Sequence, residues 1–115
     1  MFVENLENID SVEMNIEGAL NVMKQAAVGK KEGWGDHVMR VFTITDKGHT
    51  PKHSHEWPHI NYIIEGEGVL HMDGVDHPVR KGSVAYVPAG TEHQFKSASS
   101  EVFRFVCIVP EEGEG

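Results

Sequence analysis

His53-Ser54-His55-Glu56-Trp57-Pro58-His59 decides how this chain is read, because it sets three imidazoles within seven residues while a fourth, His93, follows the turn sequence Pro88-Ala89-Gly90. In an extended chain side chains alternate faces, so His53 and His55 point the same way with rings close enough to share an ion. His59 is another even step along. Trp57-Pro58 is a stiff insert that ends or bends the extended run, so the third ring joins the first two only through that bend. His93 lies 34 residues after His59, where an antiparallel return through an Asp73-Gly74 hairpin can bring its strand beside the first cluster.

Around this stretch the chain reads as β-structure. Twelve glycines and five prolines punctuate short segments rich in β-branched and aromatic residues. Strands are expected over residues 38–45, 60–65, 68–72, 76–79, 83–87, 92–96 and 101–109. Asp73-Gly74 joins two of them as a two-residue turn, since aspartate and glycine tolerate the positive φ that primed turns need. Leu20–Val28 has the alanines and leucine of a short helix, yet Gly18 and Gly29 bound it tightly and Val22 and Val28 suit a strand. The reading leans to strand. Residues 111–115 form an acidic tail expected to be disordered, because it has nothing to bury.

Composition excludes several classes of function. With 115 residues the chain makes one domain, and its formal net charge of -8 opposes an electrostatic grip on nucleic acid or an anionic membrane. No apolar run approaches the roughly 20 residues of a spanning helix, and the start of the chain lacks the charge and apolar stretch of a signal peptide. A cytoplasmic protein with no nucleic-acid or membrane partner is expected. The single cysteine, Cys107, excludes an intramolecular disulfide and cannot build a thiolate metal site alone. Metal chemistry must therefore come from histidine or carboxylate.

The two histidine segments resemble the cupin motifs, of which the first runs G-x5-H-x-H-x3-4-E-x6-G and the second G-x5-P-x-G-x2-H-x3-N. Gly82, Pro88, Gly90 and His93 match the second, with Ser97 where asparagine is usual. His53, His55 and Gly66 match the first, with His59 at the glutamate position. Lys47 occupies the usual opening glycine position, and Gly48 follows one residue later. Fifteen residues between Gly66 and Gly82 give the compact spacing of small bacterial members. The resemblance covers about residues 38–110.

The resemblance implies an all-β fold, a single double-stranded β-helix or jelly roll over residues 36–110, with residues 1–35 adding strands to the barrel or a dimer. It also implies a four-histidine metal site of His53, His55, His59 and His93. The alternatives are a member that has lost its ion, and a site in which Glu56 swings in while His59 packs elsewhere. Four neutral imidazoles leave the full charge on a divalent ion, which favours an anion, hydroxide or enolate in the open positions. Imidazole suits zinc, copper, iron and nickel, whereas manganese or iron is favoured by the resemblance. The function implied is a metal-dependent oxygenase-like or isomerase-like enzyme of a small polar organic molecule. The other class is a non-enzymatic small-molecule binding module with a structural or ligand-orienting metal.

Alternation also nominates cavity walls. Phe103, Phe105 and Cys107 share one face of the last strand, so Phe105 and Cys107 either approach the metal or simply pack in the core. Arg40 and Phe42 share a face of the 38–45 strand, leaving Arg40 as an anion contact or an exposed side chain. Trp57 either walls the pocket or packs at the barrel mouth. Val102, Val106 and Ile108 make the last strand's other face apolar as well, which points to a subunit interface, and cupins are commonly homodimers. Glu56, Glu92 and Tyr86 are the acid–base candidates near the motifs, but parity secures none of them in the cavity. His37, His49, His71 and His77 lack ligand spacing and read as surface histidines.

Overall fold

The computed structural model describes residues 1–113. Nine strands follow in order: β1 (Val12–Glu13), β2 (Leu20–Val28), β3 (His37–His49), β4 (His59–Glu65), β5 (Glu67–Met72), β6 (Val75–Arg80), β7 (Val84–Val87), β8 (His93–Ser97) and β9 (Phe103–Pro110). The only helical pieces among the described residues are three short 3-10 turns, Leu6–Asn8, Lys30–Glu32 and Glu111–Gly113. The fold is an all-β double-stranded β-helix.

β3 organises the architecture because it belongs to two layers. Residues 37–44 pair antiparallel with β9 on one side, residues 39–44 pair with β2 on the other, and β9 continues to β4 and β7. Its far end turns away: His49 pairs with Lys96 of β8, and β8 continues to β5 and β6. The change of layer falls at Asp46 and Lys47, whose φ values are 47° and 60°. Lys47, standing where the motif usually has glycine, adopts the left-handed conformation that glycine enters at less cost. Gly48 is needed for a different reason. A Cβ there would sit 2.1 Å from the Leu20 carbonyl oxygen.

The seven expected strands are all present, with ends within about two residues of those read from the sequence, apart from β3, which runs on to His49. Asp73 and Gly74 have φ values of 51° and 81°, and Met72 pairs with Val75 across them, as a primed two-residue hairpin requires. Leu20–Val28 is a strand, because its backbone is consumed by pairing with β3 and β1. Pro78 is tolerated in β6 because that strand ends the sheet, where a missing N–H breaks no interior ladder.

One expectation is corrected at the chain end. Glu111–Gly113 is a 3-10 turn rather than a disordered tail: the Glu111 N–H donates to the Asp36 carbonyl at 3.0 Å, and Gly113 packs so tightly against the Trp57 indole that a Cβ would lie 2.5 Å from Nε1. The tail does have something to cover. Its last two residues, 114 and 115, lie outside the described part. Inward-facing side chains of both layers meet in the core, where Ile44, Ile63, Leu70, Val87, Phe103 and Phe105 are fully buried. Each contributes roughly 1.5–3 kcal/mol by leaving water.

A histidine cluster at the mouth of the barrel

The histidine loop leaves β3 at Thr50 and stays tied to β8. The Thr50 N–H donates to the Phe95 carbonyl, and His53 and His93 exchange N–H···O=C bonds of 3.1 and 2.9 Å as an isolated antiparallel bridge. Gly90 N–H donates to the His55 carbonyl at 2.7 Å, so the Pro88-Ala89-Gly90 turn fastens the second motif to the first. The bend at Trp57-Pro58 then returns the chain to β4, which opens with His59.

These connections bring four rings together. The ligand atoms of His53, His55 and His93 lie within 4.8 Å of one another, and His59 Nε2 lies 3.1 Å from His93 Nε2. In every ring Nδ1 is engaged elsewhere: His53 donates to the Pro51 carbonyl, His55 to the Trp57 carbonyl and His93 to the Thr91 carbonyl, each at 2.9 Å. A carbonyl can only accept, so Nδ1 carries the proton and Nε2 of the neutral ring carries a lone pair. For His59 the acceptor is Asn61 Oδ1 at 2.7 Å. The Asn61 amide donates its own Nδ2 to the Val106 carbonyl at 3.2 Å, which fixes the amide orientation and therefore the imidazole tautomer.

Burial keeps three of these rings, His55, His59 and His93, neutral. His59 and His93 are 5% and 3% exposed. Desolvation, then the charge of neighbouring His93, pushes the His59 pKa down to about 3 against the opposing bond to Asn61. Desolvation likewise lowers His93 to about 4, and it lowers His55 from its ordinary value. His53, His55 and His93 converge within one group and His59 approaches it through His93, while His55, His59 and His93 are held in the neutral form in which imidazole ligates a metal.

Beside the cluster opens a cavity of about 360 Å³. Arg40, Phe42, Trp57, Phe105 and Cys107 all line it together with the four histidines. Trp57 stacks on the His55 ring with centroids 4.8 Å apart and planes 11° apart. Phe105 and Cys107 also belong to the core, so wall and core are one surface here. Glu56, Glu92 and Tyr86 do not line the cavity: all three are exposed, Glu92 pairs with Lys52 at 3.9 Å, and Tyr86 faces outward beside Ile60. The other histidines stay outside as well. His37 stacks on Trp34, His49 contacts Thr50 and Gln94, and His71 bonds Asp76 at 2.6 Å across the β5–β6 pair. His77 is exposed.

Sequence reading did not single out Asn61. Its signal was available in the even step from His59 along one strand, which places both side chains on the inner face. Met14, Ile16, Thr50 and Phe95 also line the cavity and were not singled out either. Met14 and Ile16 arrive only because β2 folds back over β3, a long-range pairing with no local mark.

Residues 40–109 match the cupin domain family, and the chain belongs to it. An oxalate-binding protein of Thermotoga maritima is 33% identical over 58 residues, which span 50% of this chain and 48% of that protein. The dimethylsulfoniopropionate lyase DddW of Ruegeria pomeroyi is 39% identical over 41 residues, 36% of this chain and 27% of the lyase. The matches thus span half or less of these curated relatives. Among solved structures, the polyketide cyclase RemF from Streptomyces resistomycificus superposes with a TM-score of 0.90 at 25% identity, over 96% of this chain and 79% of that one. Among the described residues no helix is long and apolar enough to cross a membrane.

Proposed function

We propose that His53, His55, His59 and His93 together hold one divalent transition metal, and that the protein is a metal-dependent enzyme, oxygenase-like or isomerase-like, acting on a small organic molecule in the adjoining cavity. The observation that carries this is the 3.1 Å approach of His59 Nε2 to His93 Nε2 with both Nδ1 atoms already donating. Two lone pairs facing each other repel unless a cation lies between them. A proton could serve only by charging a ring that burial holds neutral. Two donors bound at right angles to an ion at about 2.1 Å stand about 3 Å apart, which this pair meets. Manganese or iron is favoured by the likeness to small cupins, while zinc, nickel and copper also suit imidazole.

Bound there, such an ion supplies Lewis-acid stabilisation of a developing oxyanion or enolate. The chain's own residues do the rest. Imidazole ligands carry no negative charge and would leave the ion's charge undiminished for an anionic ligand, while Phe42, Phe105 and Trp57 line the cavity with apolar surface. The likeness to a polyketide cyclase supports an enolisable carbonyl compound as substrate. A second reading, a non-enzymatic binding module, is favoured by one observation: no carboxylate or phenol is among the described residues lining the cavity. Elemental analysis of protein purified without added metal, with His53→Ala as control, tests the metal. Aerobic turnover and oxygen uptake over enediols, flavonols and diketones then separate the classes, and metal-loaded protein inert to all of them leaves the binding module standing.

We also propose a homodimer through the outer face of β4, β7 and β9. Ile60, Tyr62, Val84 and Tyr86 are about half exposed or more there, and Val106 and Ile108 continue the same shallow apolar groove. An apolar sheet face of this kind marks an interaction surface.

A further inference from the structure

Arg40 is the charged side chain the fold treats least generously. It stands in register with Cys107 of β9 on one side and Ala26 of β2 on the other, in the middle of the sheet, and lines the cavity. Its Nη2 donates to the Cys107 sulfur at 3.2 Å, and its Cζ lies 5.0 Å from the centre of the Phe42 ring. Buried Nε has no hydrogen-bond partner. Sulfur is a weak acceptor and an aromatic face offers only its quadrupole, so the guanidinium's positive charge is answered by no carboxylate and its buried Nε by no acceptor. The chain has 18 acidic side chains, yet none of the described ones pairs with Arg40 or lines the cavity. A partly desolvated guanidinium without a carboxylate is costly to keep, and a planar oxyanion is the partner that answers its fork.

We infer that Arg40 is an anion-recognition residue and that the cavity takes an organic carboxylate with a flat apolar body. The carboxylate would meet the single guanidinium, and the body would lie against Phe42, Phe95, Phe105 and Trp57 in a cavity whose size suits a small aromatic acid. The inference rests on the reading of this cavity as the ligand site, not on the metal.

The test is calorimetric titration of 2-naphthoate, the neutral 2-naphthamide and acetate into the intact protein, metal-replete and chelator-treated in parallel. Wild type should bind 2-naphthoate at least tenfold tighter than either the amide or acetate. Arg40→Gln should lose at least tenfold for 2-naphthoate, and Arg40→Lys should fall between, since it keeps charge but not the planar fork. These differences should survive chelation. Equal affinity for acid and amide, no binding of 2-naphthoate, or a loss on chelation that Arg40→Gln does not reproduce overturns the inference. The acid-to-amide comparison in wild type decides even if the Arg40 variants fold poorly. Arg40-dependent binding in a protein that takes up no metal would instead overturn the metal reading alone.

Discussion

His59 Nε2 and His93 Nε2 lie 3.1 Å apart, and they belong to different motifs, one opening β4 and the other opening β8. A metal held between them ties together strands of both layers. His59→Ala should therefore reduce metal affinity at least tenfold and remove the metal-induced rise in melting temperature. Glu56→Ala, altering an exposed side chain that does not reach the cavity, should leave both within twofold or a degree or two. Metal titration followed by thermal melts measures this. The reverse order would hand the ligand position to Glu56.

Asn61 would act on the proposed metal site through His59, whose Nδ1 it accepts from at 2.7 Å. Three of the histidines are oriented by backbone carbonyls that no substitution removes, whereas His59 depends on a side chain that is itself 4% exposed. Asn61→Leu should weaken metal binding about 10–100-fold. It should also cost the metal-free protein roughly 1–3 kcal/mol by stranding a buried N–H. Asn61→Asp keeps an acceptor and should retain metal binding. Nitrogen chemical shifts of the His59 ring report the tautomer directly, and wild-type shifts in Asn61→Leu would remove Asn61 from the positioning role.

Burying neutral rings makes the metal-free fold acid-sensitive. His59 and His93 are pushed down from 6.5 to about 3 and about 4, so below pH 6.5 the unfolded chain binds protons that the folded chain refuses. The stability this contributes is fully present above pH 6.5. It declines as pH falls toward about 4 for His93 and about 3 for His59. Metal affinity should fall in the lower part of the same range, as pH approaches about 4 and protons begin to compete for the His93 and then the His59 donor. Urea midpoints of chelator-treated protein at pH 7.5, 5.5 and 4.5 should drop stepwise, and His59→Gln should flatten the drop. A midpoint independent of pH would contradict neutral burial.

Much of this site was legible because side-chain alternation in strands leaves a periodic mark that histidine spacing makes visible. The even steps from His53 to His55 to His59 and the shared parity of Phe105 with Cys107 are local facts about a pleated chain. The closure of the cavity was not legible. Met14, Ile16 and Gly113 come from segments near the two ends of the chain, and only the pairing of β2 with β3 and the packing of the last turn on Trp57 bring them in. Asp76 shows the same limit at the surface: its low pKa, caused by the bond from His71, depends on a cross-strand partner five residues away.

Ile60 and Tyr62 face away from His59 and Asn61 on the same strand, so the outer face can be altered without touching the ligands. Ile60→Glu together with Val84→Glu should convert a dimer to a monomer by charging the middle and the edge of the apolar groove. Equilibrium sedimentation reads the mass. A wild-type protein that is monomeric at all concentrations, or a double variant that remains dimeric, would remove this face as the contact.

The corner between the two layers couples fold to site. Gly48 has no room for a side chain, with a Cβ placed 2.1 Å from the Leu20 carbonyl oxygen and 2.9 Å from both the Asn21 Cβ and the Thr45 carbonyl oxygen. Two of those contacts are backbone, which cannot rotate aside, so Gly48→Ala should destabilise by at least about 2 kcal/mol. Lys47→Gly relieves a left-handed lysine at a cost of about 0.5–1 kcal/mol in chain entropy, and should be neutral or slightly stabilising. Thr50 and His53 meet β8 only two and five residues after Gly48, so displacing the corner shifts His53 against His93. Gly48→Ala should therefore lose metal affinity beyond its loss of stability, measured on the folded fraction, while Lys47→Gly keeps both. Equal metal affinity in the two variants would show that the histidine loop is positioned by β8 alone.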